Sequence, residues 1–152
     1  MAFVTTGGYP RTMRLPPATA RRLVTSARIL RLATLTPDGA PHQVPATFAA
    51  HGDTLVTAVD HKPKRHQRLR RLTNIAADPR VCVLVDHYDD DWTHLWWARG
   101  DGTARVLDDD ARHAPVDRLL AKYPQYRNHP PEGPVIEITI THWTGWSYAD
   151  LP

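Results

Sequence analysis

Seven short apolar runs, each bounded by turn residues, restrict this chain to a fold built from short β-strands. Some runs alternate apolar with polar or small residues, as half-buried strands do, and others are continuously apolar, as buried strands are. The 14 prolines also favour short elements and turns over long helices. The predicted strands are residues 29–36, 41–49, 55–59, 81–85, 94–99, 103–107 and 135–140.

Turn and cap signals predict how these strands are connected. Residues 37–39 (PDG) form a hairpin turn, residues 51–53 (HGD) form a second turn, and residues 100–102 (GDG) form a bulge or a turn. Three short helices are predicted: residues 18–26, a basic helix that ends near Asn74, and residues 110–122 with Asp108 as N-cap. Six or seven strands with three short helices indicate a mainly β protein, a small barrel rather than a βαβ sheet.

Length and composition predict one domain over residues 16–152, behind a flexible N-terminal arm of residues 1–15. The one cysteine, Cys82, excludes an internal disulfide and is predicted to be a buried structural thiol. No apolar segment approaches the roughly 20 residues that cross a bilayer, and the N-terminus lacks the apolar core of a signal peptide. We therefore expect a cytoplasmic protein without membrane contact.

The basic stretch of residues 62–71 is the strongest electrostatic feature of the chain. A helix start offers unpaired backbone N–H groups, and cations beside it form a receptor for phosphate or carboxylate. The alternative is a solvated helix face, which is what most charge runs are. The stretch is short and lacks interleaved aromatic residues, so we expect no nucleic-acid binding. Its cations are Lys62, Lys64, Arg65, Arg68, Arg70 and Arg71.

The tryptophans indicate a flat ligand or a subunit interface. The chain has five, and Trp92, Trp96 and Trp97 lie within six positions. On a strand, Trp96 and Trp97 must face opposite sides, so one can fill the core while the other needs a surface to cover it. Trp143 and Trp146 present the same alternatives.

Other common functional motifs are not supported. The nine histidines match no metal-ligand spacing accompanied by Cys or Glu, so no metal site is predicted. The sequence contains no G-x-S-x-G motif, no phosphate-binding P-loop and no Gly-rich dinucleotide fingerprint. Hydrolase, kinase and Rossmann interpretations therefore have no basis.

Taken in order, several segments resemble the flavin/deazaflavin oxidoreductase family, the split β-barrel group of pyridoxamine 5′-phosphate oxidase-like proteins. The segments are residues 33–48, Lys62 with Lys64, residues 74–92 and residues 95–107, and the resemblance extends over residues 16–148. More narrowly, the chain resembles the actinobacterial branch that uses the deazaflavin coenzyme F420. The resemblance implies a six- to seven-stranded split β-barrel of the FMN-binding type, and a homodimer with two cofactor sites at the subunit interface.

The resemblance also assigns cofactor-binding residues. A strand beside the tricyclic ring would fix the ring's polar edge through backbone groups, the end of the next strand would lie by the ribityl chain, and two lysines would bind the phosphate. One tryptophan falls near the ring, and another lies in a terminal segment that reaches towards the partner's site. In that order the residues are Val44, Pro45, Ala46 and Thr47; Val59 and Asp60; Lys62 and Lys64; Trp97; and Trp146.

The phosphate ligands have an alternative. Relatives with a shorter crossover place the phosphate lysine where this chain has Arg71, and the crossover here is about two helical turns longer. Either Lys62 and Lys64 bind the phosphate, or Arg68 and Arg71 do. We favour the lysines, because phosphate binding belongs at a helix start.

The resemblance implies an F420-dependent oxidoreductase in which reduced F420 gives a hydride to an electron-poor double bond of a small planar substrate. The acidic oligoglutamate tail of F420 also offers carboxylates to Arg65, Arg68 and Arg70. The alternatives are an FMN-dependent oxidase or reductase of the same fold, a non-catalytic F420-binding protein, and a haem-binding split barrel. No proton donor is singled out; His87, Tyr88 or solvent could serve.

Overall fold

Seven antiparallel strands form one sheet in the computed structural model, which describes residues 13–59 and 69–151. The order across the sheet is β2-β1-β5-β6-β7-β4-β3. The strands are β1 (Leu30–Leu35), β2 (Pro41–Ala46), β3 (Ala49–His51), β4 (Thr54–Ala58), β5 (Arg80–His87), β6 (Trp96–Leu107) and β7 (Val135–Ser147). The helices are α1 (Pro17–Ser26), α2 (Arg70–Ala77) and α3 (His113–Lys122). The prediction of a mainly β protein with short helices is confirmed.

The two outermost strands of the sheet meet because they are neighbours in sequence. Only Thr47 and Phe48 separate β2 from β3, so the sheet must curl until its edges come together. Phe48 is fully buried at this seam, and its backbone N–H donates to the hydroxyl of Tyr123 at 3.0 Å. Tyr123 follows α3 directly, and its contact therefore attaches that helix to the seam of the barrel.

The sequence divided the strands differently in three places. Predicted strand 41–49 is interrupted at Thr47 and Phe48, where the barrel closes. Predicted strands 94–99 and 103–107 are one strand, β6, with a register irregularity at Asp101 and Gly102. A Cβ on Gly102 would lie 2.0 Å from the Thr139 carbonyl oxygen, so this glycine permits close strand approach, not chain reversal. The last strand extends beyond residue 140 to Ser147.

The helix boundaries also differ from the prediction. Helix α2 runs past Asn74 to Ala77. Asn74 therefore lies inside the helix, where it is buried and its Nδ2 donates to Thr34 Oγ1 at 2.9 Å. The helix ends where Pro79 forces Asp78 into an extended conformation. Asp108 was predicted to cap the third helix, but it precedes a 3₁₀ turn (Asp109–Arg112) and makes no capping hydrogen bond.

Residues 13–15 lie along β7, although the sequence placed them in a flexible arm. The N–H of Leu15 donates to the Gly145 carbonyl at 3.0 Å, and the N–H of Ser147 donates to the Met13 carbonyl at 2.9 Å. Residues 1–12 of the predicted arm are outside the described residues. None of the helices that the structure describes is both long enough and apolar enough to cross a membrane.

Candidate functional site

Strands β5, β6 and β7 present opposite chemistry on their two faces. Val83, Val85 and Ala98 point into the apolar core and are almost fully buried. The alternate positions form what we call the outer face, where Asp86, Trp97 and Trp146 are neighbours in register. The outer face also includes Arg31, Leu84, Arg99, Asp101 and Thr144.

The tryptophans divide between these faces as the sequence predicted. Trp96 packs against the core, whereas Trp97 lies on the outer face. Trp143 is 8% exposed in the core and donates from Nε1 to Asp53 Oδ1 at 2.9 Å, whereas Trp146 pairs with Trp97. The outer face therefore carries two adjacent, half-buried indole rings.

Two polar atoms on the outer face are buried without a hydrogen-bond partner among the described residues. They are Arg99 Nε and Thr144 Oγ1, on residues that lie opposite each other on β6 and β7. An unsatisfied buried polar group costs about 1–3 kcal/mol. The charged groups nearby are paired: Arg31 contacts Asp86 at 3.1 Å, and Arg99 Nη2 contacts Asp101 at 3.3 Å. This face is thus polar and aromatic, and its hydrogen bonding is incomplete within one chain.

Cys82 lies on the outer side of β5 next to this surface. It is half-buried, not buried as predicted, because its strand neighbours Val81 and Val83 take the inward positions. Desolvation by burial, followed by a hydrogen bond with Asp101, raises the pKa of the thiol to about 11. A thiol with this pKa is protonated at neutral pH and is a poor nucleophile.

The free edge of β2 offers backbone groups to a ligand. Residues along an antiparallel edge strand alternate between bonding the neighbouring strand and facing outward. Pro45 has no N–H, so its pair with Arg31 is a non-hydrogen-bonded one. The same alternation directs the Pro45 carbonyl and both backbone groups of Gln43 outward, while those of Val44 and Ala46 bond to β1. Gln43 was not among the predicted residues, and the prolines at positions 41 and 45 are the signal that indicates it.

Thr47 is held by a tyrosine that the sequence did not single out. Its Oγ1 lies 2.6 Å from the hydroxyl of Tyr126, in the 3₁₀ turn Pro124–Tyr126. Next to it, the hydroxyl of Tyr123 also lies 2.6 Å from the Arg28 carbonyl and 2.9 Å from the Phe48 carbonyl. These hydroxyls fix the chain where β2 ends, at the end of the strand that is predicted to lie beside the ring.

The predicted residues fall into groups that one chain does not bring together. Val59 follows β4, and its N–H donates to the Pro134 carbonyl at 3.2 Å, next to the beginning of β7. Trp146 lies near the other end of β7. From Val135 to Trp146 the strand covers roughly 35 Å at about 3.3 Å per residue. The ribityl-chain and tryptophan positions are thus at opposite ends of this strand.

Most of the predicted phosphate ligands fall on residues 60–68, which are outside the described residues. These are Lys62, Lys64 and Arg68; Asp60, predicted by the ribityl chain, is also among them. Arg71 is half-buried on α2. Its exposed neighbour Arg70 lines a cleft of about 330 Å³ with Asp38 and Asn74. The choice between the lysines and the arginines stays a prediction.

The end of β5 and the loop after it contain a cluster of histidines and aspartates. His87 Nε2 and His94 Nδ1 lie 3.1 Å and 3.2 Å from the same oxygen of Asp89. Desolvation raises the pKa of Asp89, but the hydrogen bonds from the two histidines outweigh it and lower the pKa overall. Among the residues that the structure describes, no three His, Cys, Asp or Glu side chains are arranged to hold a metal ion. Tyr88 and Trp92 in the same loop are exposed.

The rolled seven-stranded sheet and its short helices define a split β-barrel. The family model for pyridoxamine 5′-phosphate oxidase matches residues 16–147, and the chain belongs to this family. The family confirms the fold that the resemblance implied. Comparison with curated proteins finds no match.

Solved structures share this fold at low sequence identity. The conserved hypothetical protein Rv2991 from Mycobacterium tuberculosis has a TM-score of 0.71 and 20% identity, over 88% of this chain and 86% of that one. A FAD-binding protein from Mesorhizobium loti has a TM-score of 0.67 and 21% identity, over 87% and 94%. A heme-binding protein from Mycobacterium smegmatis has a TM-score of 0.67 and 19% identity, over 84% and 52%. At such identities the likeness shows the fold alone.

Proposed function

We propose that this protein is an F420-dependent oxidoreductase that works as a homodimer and reduces an electron-poor double bond of a small planar substrate. The observation that carries the proposal is the division of the candidate residues into two half-sites within one chain. One half-site is the free edge of β2 with the segment after β4, and the other is the Trp97–Trp146 pair on the outer face. A second copy of the chain supplies the missing half to each site.

The outer face supports this dimer. Arg99 Nε and Thr144 Oγ1 gain partners when a second chain covers them, and the two indole rings gain a surface. The ion pairs Arg31–Asp86 and Arg99–Asp101 place both signs of charge on this face. A two-fold axis brings the same surface against itself, so a face with both signs can be complementary to its own copy.

The chain's own residues bind and orient the ring. The outward backbone groups of Gln43 and the Pro45 carbonyl offer one donor and two acceptors to the polar edge of a tricyclic ring. Trp97 and Trp146 offer flat apolar surface and exclude water beside the ring. Lys62 and Lys64 would bind the phosphate. When bound, reduced F420 supplies the hydride, and the protein supplies position and electrostatics.

Three further candidates have specific support. Family membership and the fold of a FAD-binding structure favour an FMN-dependent oxidase or reductase. The absence of an obvious proton donor among the described residues favours a non-catalytic F420-binding protein, since His87 is held by Asp89 and Tyr88 is largely exposed. The fold of a heme-binding structure favours a haem-binding protein.

A titration separates the cofactors. We expect F420 to quench the tryptophan fluorescence of the purified protein in the micromolar range. FMN should quench more weakly, and the Soret band of added hemin should neither shift nor sharpen. Trp97→Phe and Trp146→Phe reduce the quenching. The matched control, Trp92→Phe, retains it because Trp92 is 68% exposed in a loop. Tighter FMN binding moves the protein to the flavin-dependent class, and a shifted, sharpened Soret band moves it to the haem-binding class.

A second titration identifies the phosphate ligands. Lys62→Ala/Lys64→Ala is expected to weaken F420 binding tenfold, equivalent to about 1.4 kcal/mol. Arg68→Ala/Arg71→Ala serves as the comparison, because these residues are the alternative ligands. A larger loss in the arginine variant assigns the phosphate to α2 and the segment before it.

Stopped-flow oxidation of reduced F420 by planar quinones and enones separates an enzyme from a carrier. The enzyme oxidises the coenzyme over many turnovers, whereas a carrier binds it and leaves it reduced. For the dimer, sedimentation of Arg99→Glu is compared with that of Arg127→Glu, a change at an exposed position after α3. Only the first should yield monomers, and dimers that persist in both contradict the outer-face interface.

A further inference from the structure

Arg14 lies beside the tryptophan pair, although the sequence placed it in a flexible arm. The hydrogen bonds of Leu15 with Gly145 and of Ser147 with Met13 flank the pairing of Arg14 with Trp146. Directly opposed residues in an antiparallel pair project side chains on the same face. Arg14, Trp146 and Trp97 therefore follow one another across the outer face.

Arg14 also lines a groove between the two ends of the described chain. The groove has a volume of about 590 Å³, within the range of small-molecule sites. Its walls come from residues 13–16, from the first turns of α1 and from residues 147–151. They are partly apolar and aromatic, with Leu15, Pro16, Tyr148 and Leu151 among them.

The groove has a surplus of positive charge. Arg14 and Arg22 both line it, and neither makes an ion pair within residues 13–59 and 69–151. By contrast, Arg21, which directly precedes Arg22 on α1, pairs with Asp53 at 3.2 Å. Asp150 contributes one negative charge to the lining against two positive ones. An exposed guanidinium with an apolar wall beside it is suited to a carboxylate on an aromatic molecule.

We propose that this groove and the neighbouring indoles recognise a planar substrate that carries an acidic group. The guanidinium of Arg14 binds the acid, and the flat part of the molecule lies against Trp146 and Trp97. This names the substrate class for the proposed function and rests on it. Because the proposed dimer brings Lys62 and Lys64 of one chain towards the tryptophan pair of the other, F420 affinity is measured separately for each Arg14 variant.

The test uses anthraquinone-2-carboxylate and its methyl ester, which share a ring and differ in charge. Binding of each is measured by tryptophan quenching and calorimetry, with the full-length protein alone and loaded with F420. We expect the carboxylate to bind at least tenfold tighter than the ester. Arg14→Ala abolishes this preference while the ester binds as before, Arg14→Lys retains part of it, and Arg22→Ala lowers it less. The matched control is Arg127→Ala, an exposed cation after α3.

Each other outcome has a distinct meaning. Equal affinities for acid and ester in the unaltered protein overturn the inference, and so does a preference that survives Arg14→Ala. Equal weakening of both ligands by Arg14→Ala assigns the residue to packing of residues 13–15 and also overturns it. If Arg14→Ala weakens F420 binding tenfold and leaves the preference, the cation serves the cofactor. If the acid preference is present but F420 does not bind, the groove stands as an acid-binding site and the proposed function fails.

Discussion

The inner and outer faces of β5, β6 and β7 belong to the same strands but are built for different purposes. Inward positions such as Val83 and Ala98 are fully buried in an apolar core. Outward positions one residue away carry Trp97 and Arg99, which are half-buried, and Arg99 Nε has no hydrogen-bond partner among the described residues. Inner substitutions should therefore change the stability of the single chain, and outer substitutions should change binding and association.

The largest expected effect is on the inner side, at Gly102. Its Cβ would meet the Thr139 carbonyl oxygen at 2.0 Å, and a backbone atom in a paired strand cannot move aside. We expect Gly102→Ala to lower the free energy of unfolding by about 4 kcal/mol or more, measured by urea denaturation. Gly100→Ala is the matched control, because its Cβ would meet the side-chain ends of Ile140 and Trp143 at 3.0 Å. A cost of about 1–3 kcal/mol is expected there. Equal costs would refute the close-approach explanation.

The second effect is at the seam of the barrel. Tyr123→Phe leaves the buried N–H of Phe48 without its acceptor, so we expect a loss of about 1–3 kcal/mol in the free energy of unfolding. Tyr126→Phe is the comparison, because the hydroxyl of Tyr126 contacts Thr47 in a less buried position and should matter by about 0.5–1.5 kcal/mol. Melting temperatures of both variants, measured by calorimetry, show which hydroxyl contributes more to stability. A larger loss for Tyr126→Phe would show that Thr47, not Phe48, holds the seam closed.

These two positions show what the sequence could predict of the fold. Strand periodicity is local, so most strands were found within a few residues of their true ends. Residues 100–102 were predicted to form a bulge or a turn, and they form a register irregularity within β6. The sequence could not choose between the two, because the close contact of Gly102 is with Thr139, a residue on another strand. The closure by Tyr123 was missed for the same reason, since its partner Phe48 is 75 positions away.

Of the candidate site, too, the sequence predicted some residues and missed others. Strand alternation predicted that one of Trp96 and Trp97 leaves the core, and the family resemblance selected Trp97 and Trp146. Gln43 could be recognised only once the pairing of β1 with β2 was known, because that pairing decides which backbone groups face outward. Arg14 could be recognised only from its bridge to Trp146. A local sequence pattern does not show which residues of distant segments lie next to each other. The groove of Arg14 was for this reason invisible to sequence reasoning.

The third effect depends on pH and also concerns the seam. Burial, and then the charge of Arg28, lower the pKa of Lys122 to about 8 from an ordinary value of 10.5. Between these values the unfolded chain holds the proton more tightly than the folded one, so stability should rise as pH rises from about 8 to 10.5. Urea unfolding midpoints measured at several pH values across this range give the change of stability with pH. Lys122→Met should flatten this pH dependence, while Arg127→Ala, at an exposed position beyond α3, should not.

Two contacts of Lys122 act against the effect of burial. Nζ of Lys122 lies 3.7 Å from the centre of the Phe48 ring and 2.6 Å from the Ala27 carbonyl oxygen, and both contacts favour the charged amine. If these contacts outweigh burial, the folded chain holds the proton more tightly than the unfolded one, and stability falls as pH rises above about 10.5 instead of rising between 8 and 10.5. A slope of that sign in the unaltered protein, absent in Lys122→Met, would show that the seam is held by the ammonium group.

The smallest effect is on the outer face, at the ion pair of Arg31 and Asp86. Their side chains are 47% and 31% exposed in the single chain, and exposed pairs contribute about 0–1 kcal/mol. A double-mutant cycle with Arg31→Ala and Asp86→Ala, measured by urea unfolding at low protein concentration, should return a coupling within that range. The cycle is then repeated at high concentration. If a second copy covers the outer face, the pair loses water and its coupling rises with concentration, since removal of one partner leaves a buried charge unpaired. A small coupling at every concentration would mean that the outer face stays open to solvent, and that the two half-sites are not joined through it.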